Sequence, residues 1–161
     1  MRRPAAVAGS LLFLLVAPGV VAGLLPYWIT GWRAAPCWPP VRVAGAVLLA
    51  AGLAVLLPAF VRFVVEGAGT PAPAAPTERL VVGGLYRWVR NPMYVAVVAT
   101  IAGQALLLDR PVLLAYGIAV GATQAAFVHG YEEPALRRRY GEDYDAYRRA
   151  VPAWLPRRPH R

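Results

Sequence analysis

Long apolar stretches broken by short polar punctuation dominate the chain up to residue 128. Runs with little or no charge cover residues 5–25, 43–61, 93–108 and 112–128. A membrane-spanning helix needs about 20 apolar residues, with about 17 as a lower limit. The first two runs qualify outright, the second bounded by Arg42 and Arg62. The third and fourth are short, and only Asp109, Arg110 and Pro111 separate them. This predicts a tight helical hairpin, because Pro111 suits a first helical position, where its missing N–H has no helical partner. Short spans are met by bilayer thinning or by packing against neighbours. Pro18 and Pro58 fall inside predicted helices and are expected to kink them. Gly45 with Gly52, or Gly117 with Gly121, are candidate close-packing positions, equally readable as ordinary small residues of membrane helices. The expected fold is an all-α integral membrane protein with about four transmembrane helices, residues 1–161 forming one domain: two N-terminal helices over 1–65, then 66–161.

Two polar segments remain. The first opens with Gly67, Gly69, Thr70, Pro71 and Pro73, and its prolines predict extended chain. Leu80-Val81-Val82 then leads to a turn at Gly83-Gly84 and on to the run Tyr86-Arg87-Trp88-Val89-Arg90-Asn91-Pro92-Met93-Tyr94. Asn91 is expected to cap a helix that starts at Pro92. The second segment begins at His129. Glu132, Glu133 and Pro134 read as the acidic first turn of a new helix. Leu136, Tyr140, Tyr144, Tyr147 and Val151 recur at helical spacing as one apolar-aromatic stripe, while Arg137, Arg138, Arg139, Arg148 and Arg149 mostly fall elsewhere. This predicts a C-terminal cytoplasmic amphipathic helix, lying on the membrane surface or over the mouth of the helix bundle. Pro152 ends it, and Trp154 with Leu155 offers an interfacial anchor.

Composition agrees with a membrane protein. Hydrophobic residues make up 58% and charged residues 16%, against about 25% charged in soluble domains. All 17 basic residues are Arg, against 8 Asp plus Glu. If the N-terminus is cytoplasmic, thirteen Arg lie on that side and three (Arg33, Arg42, Arg110) on the other, with Arg62 at a helix end. That asymmetry places both termini inside. The Ala-rich composition without Lys points to a bacterial inner membrane. Arg2-Arg3 before an apolar run also resembles a signal peptide, but the run continues to Leu25 without a clean cleavage site. The basic excess sits beside uncharged apolar stretches, so membrane topology explains it and no nucleic acid is expected; no protein partner is expected either. Cys37 is the single cysteine, which excludes an internal disulfide and a Cys-rich zinc site.

The soluble enzyme motifs are absent: no Walker A run, no G-x-S-x-G, no H-E-x-x-H and no G-x-G-x-x-G after a strand. His129 with Glu132 and Glu133 is weak as a metal cluster, and no metal is expected. The glutamates have a plain reading as helix-start carboxylates, and Arg90 as an inside-positive anchor. Their combination points further. The hairpin brings the cytoplasmic ends of the last two spans together, so Arg90 converges on Glu132-Glu133 at the bilayer edge, beside Tyr86, Trp88, Tyr94 and Tyr131. Such a site suits a zwitterionic ligand with an apolar or cationic part, and ionisable groups at that depth are functional candidates.

At these residues the chain resembles a known family. The run Gly69-Thr70-Pro71-Ala72-Pro73, followed by Leu80 to Tyr94, looks like the first motif of the isoprenylcysteine carboxyl methyltransferases. Glu132-Glu133-Pro134-Ala135-Leu136, Tyr140-Gly141-Glu142-Asp143-Tyr144, Tyr147 and Val151-Pro152 look like their C-terminal motif. Similarity extends over about residues 67–156, with the motifs in the family's order around the hairpin, and reaches the related phospholipid methyltransferases. Many members have His where this chain has Asn91, which removes a titratable group. The resemblance implies an integral membrane enzyme that transfers methyl from S-adenosylmethionine.

The implied cofactor site comprises Gly84, Tyr86, Arg90, Asn91, Pro92, Tyr94, Glu132, Glu133, Leu136 and Tyr140, with Arg90 and Glu133 as catalytic residues. Arg90 offers a forked donor to the cofactor carboxylate. Glu132 or Glu133 accepts from its ammonium or ribose, and Tyr86, Leu136 and Tyr140 wall the adenine. Gly83 and Gly84 allow close backbone approach. The acceptor is expected to be a lipophilic thiol or carboxylate entering from the membrane. A phospholipid or other amine is the alternative, as is a non-catalytic scaffold of the same fold.

Overall fold

The computed structural model describes residue 12 and residues 16–67 and 80–158, and no strand occurs among them. The run Gly69 to Pro73, Arg2, Arg3, Arg79, Arg161 and the start of the first apolar stretch lie outside the described residues. Helix α1 (Val16–Thr30) contains a π-helical turn at Val20–Leu24, beginning two residues after Pro18. Helix α2 (Pro39–Gly67) runs through Pro58 without ending. A 3₁₀ turn (Gly84–Arg87) precedes α3 (Pro92–Leu108). Helix α4 (Pro111–Phe127) passes through a second π turn, Val128–Glu132, directly into α5 (Glu133–Tyr140). Helix α6 (Glu142–Ala150) completes the fold.

The α3–α4 hairpin falls where the proline and the apolar runs place it. Asp109 closes α3 in the left-handed region at φ 52°. Helices α2 and α3 form the closest-packed pair. A Cβ at Gly52 would lie 2.6 Å from Thr100 Oγ1, and Gly45 and Gly103 sit as tightly on backbone of the facing helix. Small residues let the two backbones approach where no hydrophobic effect drives helices together. Gly121 has no such constraint: its Cβ would make an ordinary contact with Val98 at 3.5 Å. The core between the helices consists of Ala22, Leu56, Ala96, Val97, Ile101, Ala105 and Leu113.

Outward faces are apolar. Val43, Val47, Leu57 and Val61 on α2 and Ile118 on α4 are each more than half exposed, the inverse of a water-facing helix. Two helices among the described residues, Pro39–Arg62 and Pro111–Tyr140, are long and apolar enough to cross a membrane. Val16–Thr30 and Pro92–Leu108 are shorter, so of the four expected spans two reach spanning length by themselves.

The π turn in α1 shifts its hydrogen bonding by one residue and leaves carbonyls to be satisfied from outside. Tyr116 Oη donates to Val21 O at 2.7 Å and Gln104 Nε2 to Ala22 O at 2.6 Å. Gln104 Oε1 accepts from Trp32 Nε1 at 3.2 Å. At the same end, Arg110 Nε donates to Arg33 O and Ala35 N to Leu108 O, both at 2.9 Å. The far end of the bundle is thereby closed by bonds to backbone.

Two tail expectations are revised. Glu133 opens α5 beside Pro134 as expected, but the helix has no free N-terminus, because Glu132 and Glu133 both have helical backbone inside the continuous α4–α5 rod. The single amphipathic helix is two, broken at Gly141, whose φ of 55° and ψ of −126° are open only to glycine.

Candidate active site

The other end of the bundle gathers Arg90, Asn91, Glu132, Glu133 and the tail. Arg90 lies in the loop before α3, and its position is over-determined. Its backbone N–H donates to Pro152 O at 2.8 Å and its Nε to Val151 O at 3.0 Å. Nη1 donates to Glu133 Oε1 at 2.7 Å and to Tyr144 Oη at 3.1 Å. The Arg90 and Glu133 side chains are 11% and 10% exposed, so this is a buried, hydrogen-bonded ion pair. Among the described residues, Nη2 of Arg90 has no partner.

The adjacent glutamates, about 100° apart around the helix, meet different surroundings, and the second π turn shifts their phase relative to α4. Inserting one residue rotates the helix beyond it by about 100°, and such turns concentrate at functional sites. Glu133 turns toward Arg90, and Arg148 Nη2 lies 3.7 Å and His129 Nδ1 3.4 Å from its Oε2. Glu132 turns the other way and accepts from Tyr94 Oη at 2.9 Å.

The tail is a strap across this end. Asn91 N and Nδ2 both donate to Ala153 O at 3.2 Å, and Arg157 N donates to Trp88 O at 3.0 Å. Asn91 therefore occupies the helix-cap position with its side chain spent on the tail, and makes no side-chain cap. Tyr147 Oη donates to Tyr86 O at 2.7 Å, tying α6 to the 3₁₀ turn. Burial pushes the Tyr147 phenol well above its ordinary value, against the opposing charge of Arg90. Burial and the charge of Glu133 raise Tyr144 as well, outweighing Arg90 and Arg148. Both phenols are neutral at physiological pH, Tyr147 donating to Tyr86 O and Tyr144 accepting from Arg90.

Leu80, Val81, Tyr86, Arg90, Asn91, Glu132, Leu136, Tyr144 and Tyr147 line a cavity of about 60 Å³. Of the sequence-derived set, Tyr86, Arg90, Asn91, Glu132 and Leu136 meet there. Glu133 stands behind Arg90 rather than on the wall. Tyr94 touches the cavity only through Glu132, and Pro92 is fully buried at the start of α3. Gly84, at φ 56°, faces the Arg62 side chain, and Tyr140 lies under Arg139, 5.8 Å from its ring centroid. Tyr144 and Tyr147 were visible only as part of the stripe; their spacing from Tyr140 carried them onto the cavity side across the Gly141 break.

These features define a helical membrane protein with a polar, charge-paired site at one end of its bundle. Residues 41–143 match the phospholipid methyltransferase family. The match takes in α2 through the start of α6, including Arg90, Glu132 and Glu133, and the chain belongs to that family of membrane methyltransferases. A comparison with curated proteins finds no match.

Proposed function

We propose that this chain is a membrane-embedded methyltransferase that uses S-adenosylmethionine to methylate a lipophilic acceptor, a thiol or carboxylate of the kind served by isoprenylcysteine carboxyl methyltransferases. The observation that carries the reading is Arg90: a buried guanidinium, aligned by Glu133, Tyr144 and the Val151 carbonyl, on the wall of a cavity that also holds a second carboxylate.

The donor set fits S-adenosylmethionine in kind. Arg90 Nη2 would take its carboxylate, and Glu132 its ammonium or ribose hydroxyls. Tyr86, Leu136, Tyr144 and Tyr147 would wall the adenine and face the sulfonium with aromatic surface. At about 60 Å³ the cavity is well below the roughly 300 Å³ of ordinary ligand pockets. Binding therefore moves the non-helical wall at Leu80 and Val81, while the Arg90–Glu133 pair, held by the tail carbonyls, keeps its place. The cofactor supplies a methyl group already activated on a sulfonium, so alignment provides most of the acceleration. A thiolate or carboxylate needs no base. The phospholipid family favours an amine as the second reading, and Glu132, facing the cavity, is then the group placed to accept the proton.

We place the α2 and α4–α5 rods across the bilayer, with α1 and α3 as shorter spans and both termini cytoplasmic. Thirty residues from Pro111 to Tyr140 make a rod of about 45 Å, against a hydrocarbon core of about 30 Å. The end bearing Glu132 and Glu133 then stands at the membrane surface, where a soluble cofactor meets a lipid acceptor. The test is label transfer from methyl-labelled S-adenosylmethionine to prenylcysteines, long-chain thiols and phospholipids in lipid discs. Transfer to one class that is abolished in Arg90→Ala supports the reading. No transfer to any, by folded protein that also fails to bind cofactor, overturns it.

A further inference from the structure

Beside the polar cavity lies a second one, of about 330 Å³, lined by Tyr94, Val95, Val98, Gly121, Gln124, Ala125 and Trp154. Its volume is that of a small-molecule pocket. It runs between α3 and α4, with Gly121 and Ala125 continuing the face that carries the 73%-exposed Ile118, so it opens toward lipid. A side chain at Gly121 would fill it against Val98. Besides the Trp154 indole, two polar side chains line this apolar cleft. The Tyr94 hydroxyl is committed to Glu132. The other is the amide of Gln124.

Gln124 Oε1 is buried and, among the described residues, is the one buried side-chain polar atom with no hydrogen-bond partner. Polar side chains elsewhere on these helices are satisfied. Gln104 uses both ends of its amide, and Thr100 and Thr123 donate to carbonyls one turn back at 2.8 and 2.9 Å. An unpaired amide in apolar surroundings is costly, and intramembrane polar groups without a structural partner mark functional sites.

The two cavities share a wall. Tyr94 faces the cleft and Glu132 faces the polar cavity, so the Tyr94–Glu132 hydrogen bond is the partition between them. We infer that the cleft is the acceptor's subsite and that Gln124 determines its specificity, Oε1 accepting a hydrogen bond from an N–H or O–H of a lipid acceptor whose chain lies between α3 and α4. This rests on the methyltransferase reading for the identity of the occupant, and on the cleft itself for the contact.

Trp154 in the cleft wall provides a readout independent of turnover. The full chain in lipid discs is titrated with 9,10-dibromostearyl alcohol, which quenches nearby tryptophan, and with its methyl ether, which has no donor. Trp154→Phe identifies the signal belonging to the cleft. The expected result is that the alcohol quenches Trp154 with about tenfold tighter apparent affinity than the ether. Gln124→Leu, which removes no side-chain hydrogen bond seen among the described residues, should erase that preference while leaving cofactor affinity unchanged and thermal stability equal or raised. Equal quenching by alcohol and ether, or a preference that survives in Gln124→Leu, overturns the inference. Cofactor binding in the same samples separates the two ideas: a donor preference without cofactor binding sinks the methyltransferase reading and keeps the subsite.

Discussion

The two ends of this bundle use the same ingredients differently. Each has a π turn, at Val20–Leu24 and at Val128–Glu132, and each surrounds it with polar side chains. At the first, Tyr116, Gln104 and Arg110 end on backbone carbonyls of the opposite helix or loop. Gln104 Oε1 also takes the Trp32 indole N–H, and the arrangement locks α1 to the hairpin. At the second, side chains pair with side chains around a cavity: Arg90 with Glu133 and Tyr144, Tyr94 with Glu132. The same backbone device closes one end and, at the other, sets the phase of the neighbouring glutamates relative to α4. A polar group inside a membrane protein is thus not functional merely by being there. What distinguishes the second end is a buried charge pair beside a polar cavity.

The largest effect should come from Arg90→Ala. It strands Glu133 as a buried charge, a loss of about 3–5 kcal/mol seen in thermal or denaturant unfolding, and it removes cofactor binding. Arg90→Lys keeps a charge but lacks the fork, so it should recover more stability than affinity. At the quiet end, Gln104→Leu orphans Ala22 O and Trp32 Nε1. It should lower stability by about 1–3 kcal/mol with cofactor affinity unchanged; a loss of affinity there would break the contrast between the ends.

Gly141→Ala forces a side chain into a glycine-only conformation, costing about 1–3 kcal/mol, and should shift α6 with Tyr144 and Tyr147, weakening cofactor binding several-fold. The smallest effect belongs to Tyr147→Phe, about 1 kcal/mol for one hydrogen bond. It should also change the alkaline limb. Because burial raises the folded phenol above its ordinary 10.0, the unfolded chain ionises first. Stability is then fully present below pH 10 and falls as pH rises beyond it. Tyr147→Phe should flatten that fall in unfolding measured between about pH 9 and 11.

The sequence made the helical architecture legible wherever a long-range pattern carries it. Apolar runs mark the helices, Asn91-Pro92 marks the start of α3, and Asp109 to Pro111 marks the hairpin turn. The convergence of Arg90 with the glutamate pair follows from that hairpin. Other features leave no such trace. A π turn adds one hydrogen-bond offset without altering composition, so the phase of Glu132 and Glu133 relative to α4 was not readable. Gly141 after Arg137-Arg138-Arg139 is an ordinary helix stop, yet the stripe from Leu136 to Val151 keeps helical spacing through it and reads as one helix. The strap at Pro152 and Ala153 acts through backbone carbonyls, which no side-chain pattern reports, and it redirects Asn91 from capping.

The central claim is that the end holding Arg90 and Glu132 is a cofactor site. Equilibrium binding of labelled S-adenosylmethionine to the purified chain, beside Arg90→Ala and Glu132→Gln, tests it most directly. The account predicts saturable binding to the wild type that is lost in both variants while Gln104→Leu binds normally. Wild-type protein that is folded and binds nothing, in detergent and again in lipid discs, would contradict it.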